Sequence, residues 1–236
     1  MRRTRDALWR GQLRFWQPAR GEGYRFNLDP VLLSGFVRPA DHVLDLGAGV
    51  GVLAVLLVAS GRARRVTAVE VLPELAELCA ENVRENGLAT RVEVVTADLR
   101  TLAPIRADAA VFNPPFFKAS HGRGAPERRR DAARHERHGT LGDFVSFAVR
   151  SAGDGPVTAV VPASRGDELC DLFGVHGHGA VRRRPVAARA GTPADRWLME
   201  GVGDAPAGVV TEAELLVHAG EGRDFTPEVK ALLRET

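Results

Sequence analysis

From about residue 42 onward, short runs of β-branched residues alternate with longer segments whose apolar positions recur at helical spacing. Residues 42–46 form the first short run and residues 65–69 the second, with an apolar segment at about 50–60 between them. This alternation predicts βαβ units and a parallel sheet. After residue 178 the short runs follow one another without long helices, which predicts an antiparallel edge.

Local signals set further boundaries. Strands are predicted at residues 91–96, 107–112 and 156–161. Helices are predicted to begin at Pro73, at two capping boxes (Thr140 with Asp143, and Ser164 with Asp167) and at Thr226 near the end of the chain. The polar segment 118–139, rich in Gly, Arg and His, is expected to be a mobile insertion.

The chain has 236 residues, of which 44% are hydrophobic, enough for a single domain with one large core. Its formal net charge of +2 is too small to indicate a polyanionic partner by itself. Basic residues nevertheless cluster in residues 1–20, in residues 118–139 and at Arg182, Arg183, Arg184 and Arg189. Such clusters can contact phosphate groups, or they can be solvated charged faces.

The sequence gives no sign of a disulfide, a membrane span or a metal site. Cys79 and Cys170 fall in predicted helices and are expected to be small buried residues in a reducing compartment. The longest apolar run, residues 52–59, is too short to span a bilayer. Three histidines are too irregularly spaced to ligate a metal: His121, His135 and His138. We therefore expect a cytoplasmic protein.

A glycine-rich loop follows the first predicted strand, with Gly47, Gly49 and Gly51 directly after Asp45 and Leu46. Small residues at such a strand-to-helix turn let a nucleotide-like ligand approach the backbone. The G-x-G-x-x-G spacing of dinucleotide sites fails because its third position is Val52. Asp45 would repel a pyrophosphate but would attract the cationic amino group of S-adenosylmethionine. The loop therefore favours S-adenosylmethionine as cofactor.

Two more acids end predicted strands. Glu70 ends the second strand and could accept both ribose hydroxyls, while Asp98 follows the third and could accept from the adenine amino group. Each alone could be a solvated helix cap. Their order along the chain, at the predicted carboxyl ends of strands, favours one shared ligand site.

The motif Asn113-Pro114-Pro115-Phe116 ends the apolar run 109–112. An exocyclic nitrogen is a poor nucleophile, so an enzyme must grip it. The Asn113 carboxamide oxygen and the Pro114 carbonyl could accept from its two N–H groups, and Phe116 could stack on the ring. The alternative is a Pro-Pro turn that closes a buried strand.

With these motifs in this order, residues 42–161 resemble the Rossmann-like S-adenosylmethionine-dependent methyltransferases with an N-P-P-[FY] motif. Flanking segments at 17–33, 133–136 and 216–229 are similar to the bacterial tRNA1(Val) (adenine(37)-N6)-methyltransferase family. The resemblance implies an α/β fold of the class I methyltransferase type, with a mostly parallel seven-stranded sheet, an antiparallel edge and helices on both faces. Residues 1–41 would be a basic entrance segment and residues 42–236 the catalytic domain, within a single domain overall.

The resemblance also implies site residues and partners. The cofactor site would contain Asp45, Gly47, Gly49, Gly51, Glu70, Asp98 and Asn113, and the catalytic motif would be Asn113, Pro114, Pro115 and Phe116. RNA contacts are predicted for Tyr24, Arg25, Lys118, Arg128, Arg129, Arg130 and Arg134, with Phe26 beside the entrance. The substrate would be an adenine N6 in RNA, favoured to be a tRNA anticodon loop, and the enzyme a monomer or weak dimer.

Several alternatives stay open from sequence. Phe116 stands where the family usually has Tyr, and Phe is also seen in rRNA guanine-N2 methyltransferases, although those typically follow it with His rather than Phe117. A protein glutamine N5-methyltransferase would grip its amide in the same way, but often carries an N-terminal helical domain for which 41 residues are too few. A catalytically silent RNA-binding module and a nicotinamide oxidoreductase are the other candidates.

Overall fold

The computed structural model describes residues 2–23, 25–114, 139–206 and 208–235. Within these residues the centre of the chain is a nine-stranded sheet in the order β5-β4-β3-β6-β7-β9-β8-β10, and β11 also pairs with β8. Its strands are β3 (Ala40–Leu46), β4 (Ala63–Glu70), β5 (Val92–Thr96), β6 (Ala109–Phe112), β7 (Val157–Pro162), β8 (His178–Ala187), β9 (Arg196–Gly203), β10 (Val210–Thr211) and β11 (Leu215–Leu216). A separate hairpin consists of β1 (Arg3–Leu8) and β2 (Leu13–Pro18).

The helices of the described residues are α1 (Asp29–Phe36), α2 (Val52–Ala59), α3 (Pro73–Glu85), α4 (Leu141–Ala152), α5 (Gly166–Val175) and α6 (Pro227–Leu233). No helix in these stretches is both long and apolar enough to cross a membrane.

The predicted fold class is confirmed. Strands β3 to β7 run parallel, whereas β9 is antiparallel to both β7 and β8 and forms the expected antiparallel edge. These are seven long strands, and the two-residue strands β10 and β11 add to β8. The sheet is therefore the predicted seven-stranded one, extended by two short strands.

Period-two alternation in the strands divides the core between the two faces of the sheet. On β3, Val43 belongs to the core cluster that also contains residues of α1, α2, α3, α6 and the hairpin. The next residue, Leu44, belongs to the second cluster, which contains residues of α4 and α5. Successive side chains of a strand point to opposite faces, so one apolar strand serves both layers. Both faces of the sheet are therefore covered by helices, and the ends of its strands are left to form a binding site.

The capping signals gave mixed results. Thr140 and Asp143 form the predicted reciprocal capping box at α4, and the Thr226 hydroxyl caps α6. The prediction for Ser164 with Asp167 was wrong. The chain first makes a 3-10 turn over Ala163–Arg165, and α5 begins at Gly166 without a side-chain cap. A backbone hydrogen bond from Ala163 to Asp195 of the segment before β9 fixes this turn, a tertiary contact that no local pattern reveals.

The hairpin and α1 were not predicted. Most of β1 is exposed and carries charged residues, so it lacks a buried stripe that alternation could reveal. Its partner β2 buries Leu13, Phe15 and Gln17 on alternate positions. The insertion predicted at 118–139 lies outside the described residues, except for Gly139.

Gly51 is a position where the fold depends on the absence of a side chain. It has φ +83° just before α2, and a Cβ there would lie 2.5 Å from the Cys79 sulfur on α3. We predict that Gly51→Ala lowers the free energy of unfolding by about 1–3 kcal/mol more than Gly61→Ala does, because it adds overpacking to the left-handed strain. Gly61 has φ +75° with open space around it.

Gly61→Ala should itself cost only about 1 kcal/mol. Chemical denaturation of both variants checks the difference. Equal losses of stability would show that the Cys79 contact has no energetic weight.

Candidate active site

The strand register brings the predicted residues to one edge of the sheet. In the pairing of β3 with its neighbours, Asp45 lies beside Ala68 of β4 and Val111 of β6. Asn113 directly follows β6, whose last residue pairs with Leu46. Because these strands are parallel, their carboxyl ends meet at the same edge, where open α/β sheets bind ligands.

A pocket at this edge brings the predicted cofactor residues Asp45 and Gly47 together with Asn113 of the predicted catalytic motif. Its lining combines the end of β3, the glycine loop, the first turns of α1 and α2, the segment before α1 and the residue after β6. The lining residues are Phe26, Pro30, Asp45, Gly47, Ala48, Val50, Val52, Leu53 and Asn113. The expectation that Phe26 lies beside the entrance agrees with this lining. Pro30 was not foreseen, since its place depends on how α1 packs.

The glycine loop is held in a shape that side chains would disturb. Gly47 and Gly49 have φ of +70° and +56°, in the left-handed region. The backbone N–H groups of Gly47 and Ala48 both donate to the Val69 carbonyl of β4, at 2.8 and 3.0 Å. A Cβ at Gly47 would lie 3.0 Å from the Phe144 ring. A side chain at Gly47 would therefore disturb the loop.

Asp45 is a buried carboxylate at the pocket wall. Its residue is 2% exposed, and its Oδ2 has no hydrogen-bond partner among the described residues. Burial raises the pKa of Asp45 to about 7, the Glu70 charge adds to the rise, and a backbone hydrogen bond from Ala54 opposes it. A buried carboxylate in the pocket lining, with one oxygen unpartnered among the described residues, matches a cationic amino group. The residues present therefore fit the cofactor expected from the sequence.

Glu70 has a structural task that the sequence did not reveal. Its Oε2 accepts from the Gly49 N–H at 2.7 Å, and its Oε1 accepts from the Leu72 N–H at 2.9 Å. The residue is 6% exposed. The role of Glu70 toward the ribose hydroxyls stays a prediction. The same side chain thus fixes the glycine loop against β4.

Asp98 follows β5, and its carboxylate is engaged by Arg100. The guanidinium Nε donates to Oδ1 at 2.9 Å and Nη2 donates to Oδ2 at 2.6 Å, while the Arg100 backbone N–H donates to Oδ1 at 2.9 Å. Nε also donates to Oδ2 at 3.1 Å, so both carboxylate oxygens are engaged within the chain. The role of Asp98 toward a cofactor adenine stays a prediction.

The acceptor motif is only partly described. Asn113 is half-buried in the pocket lining and Pro114 is buried. Several predicted site residues lie outside the described residues: Tyr24, Pro115, Phe116, Lys118, Arg128, Arg129, Arg130 and Arg134.

Arg25 is described, and its guanidinium is used within the chain. It donates to the Thr4 hydroxyl and the Pro18 carbonyl, both at 2.5 Å, and to the Asp6 carboxylate at 2.8 Å. These bonds tie the segment before α1 to the hairpin. Its predicted contact with RNA stays a prediction.

Several arginines of the N-terminal and 182–189 clusters form ion pairs. These are Arg2 with Glu22, Arg3 with Glu81, Arg5 with Glu85, Arg182 with Glu200 and Glu212, and Arg184 with Glu228. An arginine that is already paired with a carboxylate is less available to bind a phosphate group. No group of three side chains suited to a metal ion is found within the described stretches.

Comparison with known proteins places this chain among methyltransferases. The family profile of the methyltransferase small domain matches residues 29–129. A tRNA1(Val) (adenine(37)-N6)-methyltransferase of Aeromonas hydrophila is 31% identical over 82% of this chain and 82% of its own length. The protein of the same name from Tolumonas auensis is 28% identical over 88% of this chain and 87% of its own length.

Solved structures agree on the fold. A predicted O-methyltransferase from Agrobacterium tumefaciens superposes with a TM-score of 0.69 at 23% identity, covering 87% of this chain and 95% of its own. Pyrococcus horikoshii TYW2, solved in complex with MeSAdo, gives a TM-score of 0.55 at 14% identity, covering 82% and 69%. At these identities the likeness shows the fold alone.

The raised pKa of Asp45 makes the stability of the free protein depend on pH. A carboxyl that keeps its proton when folded stabilises the protein below pH 4, and this contribution is lost as the pH rises toward 7. We predict that Asp45→Asn removes this loss. Relative to the wild type, the variant should gain up to ~4 kcal/mol of unfolding free energy between pH 4 and pH 8.

Urea denaturation at the two pH values measures the gain. Asp41→Asn, which changes an exposed carboxylate of the same strand, is the control and should show no such gain. A gain for Asp45→Asn that does not vary with pH would contradict the burial of an ionisable group.

Proposed function

The chain belongs to the family of small-domain, S-adenosylmethionine-dependent methyltransferases, and from that premise we propose that it methylates the exocyclic N6 of an adenine in RNA, in a tRNA anticodon loop. S-adenosylmethionine is its methyl donor, and the enzyme is an N-methyltransferase. The proposed substrate is supported by the relatives from Aeromonas hydrophila and Tolumonas auensis, whose names specify adenine 37 of tRNA1(Val).

The observation that carries the proposal is the shared pocket of Asp45 and Asn113. Asp45 provides a carboxylate for the cofactor amino group, and Asn113 provides an acceptor for an exocyclic amine. Asp45 lies near the carboxyl end of β3, and Asn113 directly follows the neighbouring parallel strand β6, so the backbone fixes their separation. A site that holds both reactants in register needs little more than proximity and orientation to transfer a methyl group.

The first contact proposed for the cofactor is an ion pair with Asp45. In its ionised form Asp45 pairs with the cofactor ammonium, and the ammonium in turn offsets the burial that raises the pKa of Asp45 in the free protein. The backbone of the glycine loop, held by Glu70 and Val69, leaves room for the ligand to approach closely. When bound, S-adenosylmethionine supplies an electrophilic methyl group on a sulfonium.

The Asn113 carboxamide oxygen and the Pro114 carbonyl accept from the two N–H groups of the target amine. This grip directs the nitrogen lone pair at the methyl carbon. With S-adenosylmethionine bound, Asn113 and Pro114 would hold the amine so that its nitrogen bonds to the methyl carbon while the carbon–sulfur bond breaks and S-adenosylhomocysteine leaves. The amine loses its proton to water after the transfer has begun, so no strong general base is required. Phe116, the last residue of the motif, is proposed to stack on the base.

The target base must leave its stack to reach this pocket. Extrusion costs least from a single-stranded loop, where no base pair has to be broken. An anticodon loop meets this condition. Phosphate contacts by basic residues would then supply affinity that falls with salt and carries little sequence information.

The proposed grip predicts a separation between turnover and cofactor binding. Asn113→Ala should lower kcat at least ~100-fold, because the amine is no longer oriented for attack. Its Kd for S-adenosylmethionine, measured by calorimetry, should stay within about three-fold of the wild type because the Asp45 contact is intact. Asn86→Ala, which changes the residue at the C-terminal cap of α3 outside the pocket lining, is the control and should keep its kcat. Parallel losses of kcat and cofactor affinity in Asn113→Ala would contradict the role of Asn113.

The substrate is tested by product identity. The purified enzyme is incubated with labelled S-adenosylmethionine and total RNA that lacks the modification, and the nucleosides are identified by mass spectrometry. We expect N6-methyladenosine in a single tRNA, and none with Asn113→Ala. N2-methylguanosine, or label in protein instead of RNA, would refute the proposed acceptor.

A further inference from the structure

Asn82 of α3 is a buried polar residue that contacts two separate parts of the chain. It is fully buried, and its Oδ1 accepts from the Trp16 N–H at 2.6 Å. Its Nδ2 donates both to the Trp16 carbonyl, at 2.9 Å, and to the Val50 carbonyl, at 2.8 Å. Both amide hydrogens are therefore used, one on the hairpin and one on the glycine loop.

Asn86, one helical turn later, repeats the first half of this pattern without the second. Its Oδ1 accepts from the Arg14 N–H at 2.9 Å, and its Nδ2 donates to the Arg14 carbonyl at 2.8 Å. Its other bond goes back to the Asn82 carbonyl of the same helix. The two asparagines thus pair with the outer edge of β2 as a neighbouring strand would, but only Asn82 also reaches the loop.

The two partners of Asn82 lead to different parts of the pocket lining. Val50 lies in the glycine loop and lines the pocket itself. Trp16 precedes Gln17, a buried residue whose Oε1 accepts from the Phe26 N–H at 3.2 Å. Phe26 also lines the pocket, and its ring packs edge-on against Phe15 of β2 at 5.8 Å. One carboxamide therefore connects the loop to the segment that carries Phe26.

The helix beneath the loop leaves it little room to move. The Cys79 sulfur, three residues before Asn82, occupies the space that a side chain at Gly51 would need. If the carboxamide of Asn82 were removed, the Val50 carbonyl would lose its partner in a buried setting. An unpaired buried carbonyl is costly, so the loop would shift to regain a hydrogen bond.

We propose that Asn82 is a positioning residue for cofactor binding: its carboxamide sets the spacing between the glycine loop and the Phe26 segment, and so holds the pocket at the width the cofactor needs. Asn86 fastens the hairpin alone. The inference rests on the proposed reaction only in its use of the same cofactor site, and its test requires no RNA.

The two asparagines form a matched pair for this test. Asn82→Ala and Asn86→Ala each delete two hydrogen bonds to β2, so both should lose thermal stability. Only Asn82→Ala should bind S-adenosylmethionine more weakly, by about ten-fold in calorimetric Kd, while Asn86→Ala stays within about two-fold of the wild type. In turnover assays Asn82→Ala should raise the KM for the cofactor by a similar factor, with kcat at saturating cofactor within about three-fold.

Two results would overturn the assignment. One is wild-type affinity in folded Asn82→Ala, and the other is an equal loss of affinity in both variants, which would mark a general effect of loosening the hairpin. Failure to methylate RNA, with these affinities as expected, would instead count against the proposed substrate.

Hydrogen exchange of the wild type decides the matter if Asn82→Ala does not fold. Addition of S-adenosylmethionine should slow exchange of the Trp16 amide, which donates to Asn82, more than that of the Arg14 amide, which donates to Asn86. Equal protection of the two amides, or none at Trp16, would contradict the proposed coupling.

Discussion

The burial of Asp45 is the constraint on which the site depends. A carboxylate removed from water, beside the second acid Glu70, is costly to ionise, and its pKa of about 7 records that cost. One of its oxygens has no partner among the described residues. We propose that a cationic ligand offsets this cost. The free protein is therefore less stable at neutral pH than an amide at this position would make it, which is a common relation between stability and function.

The rest of the site keeps the surroundings of Asp45 fixed. Glu70 holds the glycine loop from β4, and Asn82 holds the same loop from α3. Asn113 is set by the register of β6 against β3, with no side-chain support needed to bring it to the edge. The strands of the sheet thus position Asp45 and Asn113, and buried hydrogen bonds position the glycine loop.

Much of this arrangement could be predicted from the sequence because its signals are local. The loop after β3, the acids after β4 and β5, and Asn113 after β6 each follow an apolar run, and parallel strands bring such ends together. The second task of Glu70 and the position of Pro30 could not be foreseen, since both depend on tertiary contacts. Asn82 was equally hidden: within an amphipathic helix, a buried asparagine looks like any polar residue until its partners at residues 16 and 50 are known. The Ser164 cap failed for the same reason, because a distant backbone bond set the turn.

We propose that Asp45 binds the cofactor ammonium in its ionised form, as a carboxylate. Calorimetry of S-adenosylmethionine binding near pH 6.5, in buffers of different ionisation enthalpy, measures the protons exchanged on binding. Since free Asp45 is largely protonated at this pH, the account predicts a net release of about half a proton or more by the wild type, and its absence in Asp45→Asn. Cofactor binding by the wild type without proton release, or the same release by the variant, would contradict it.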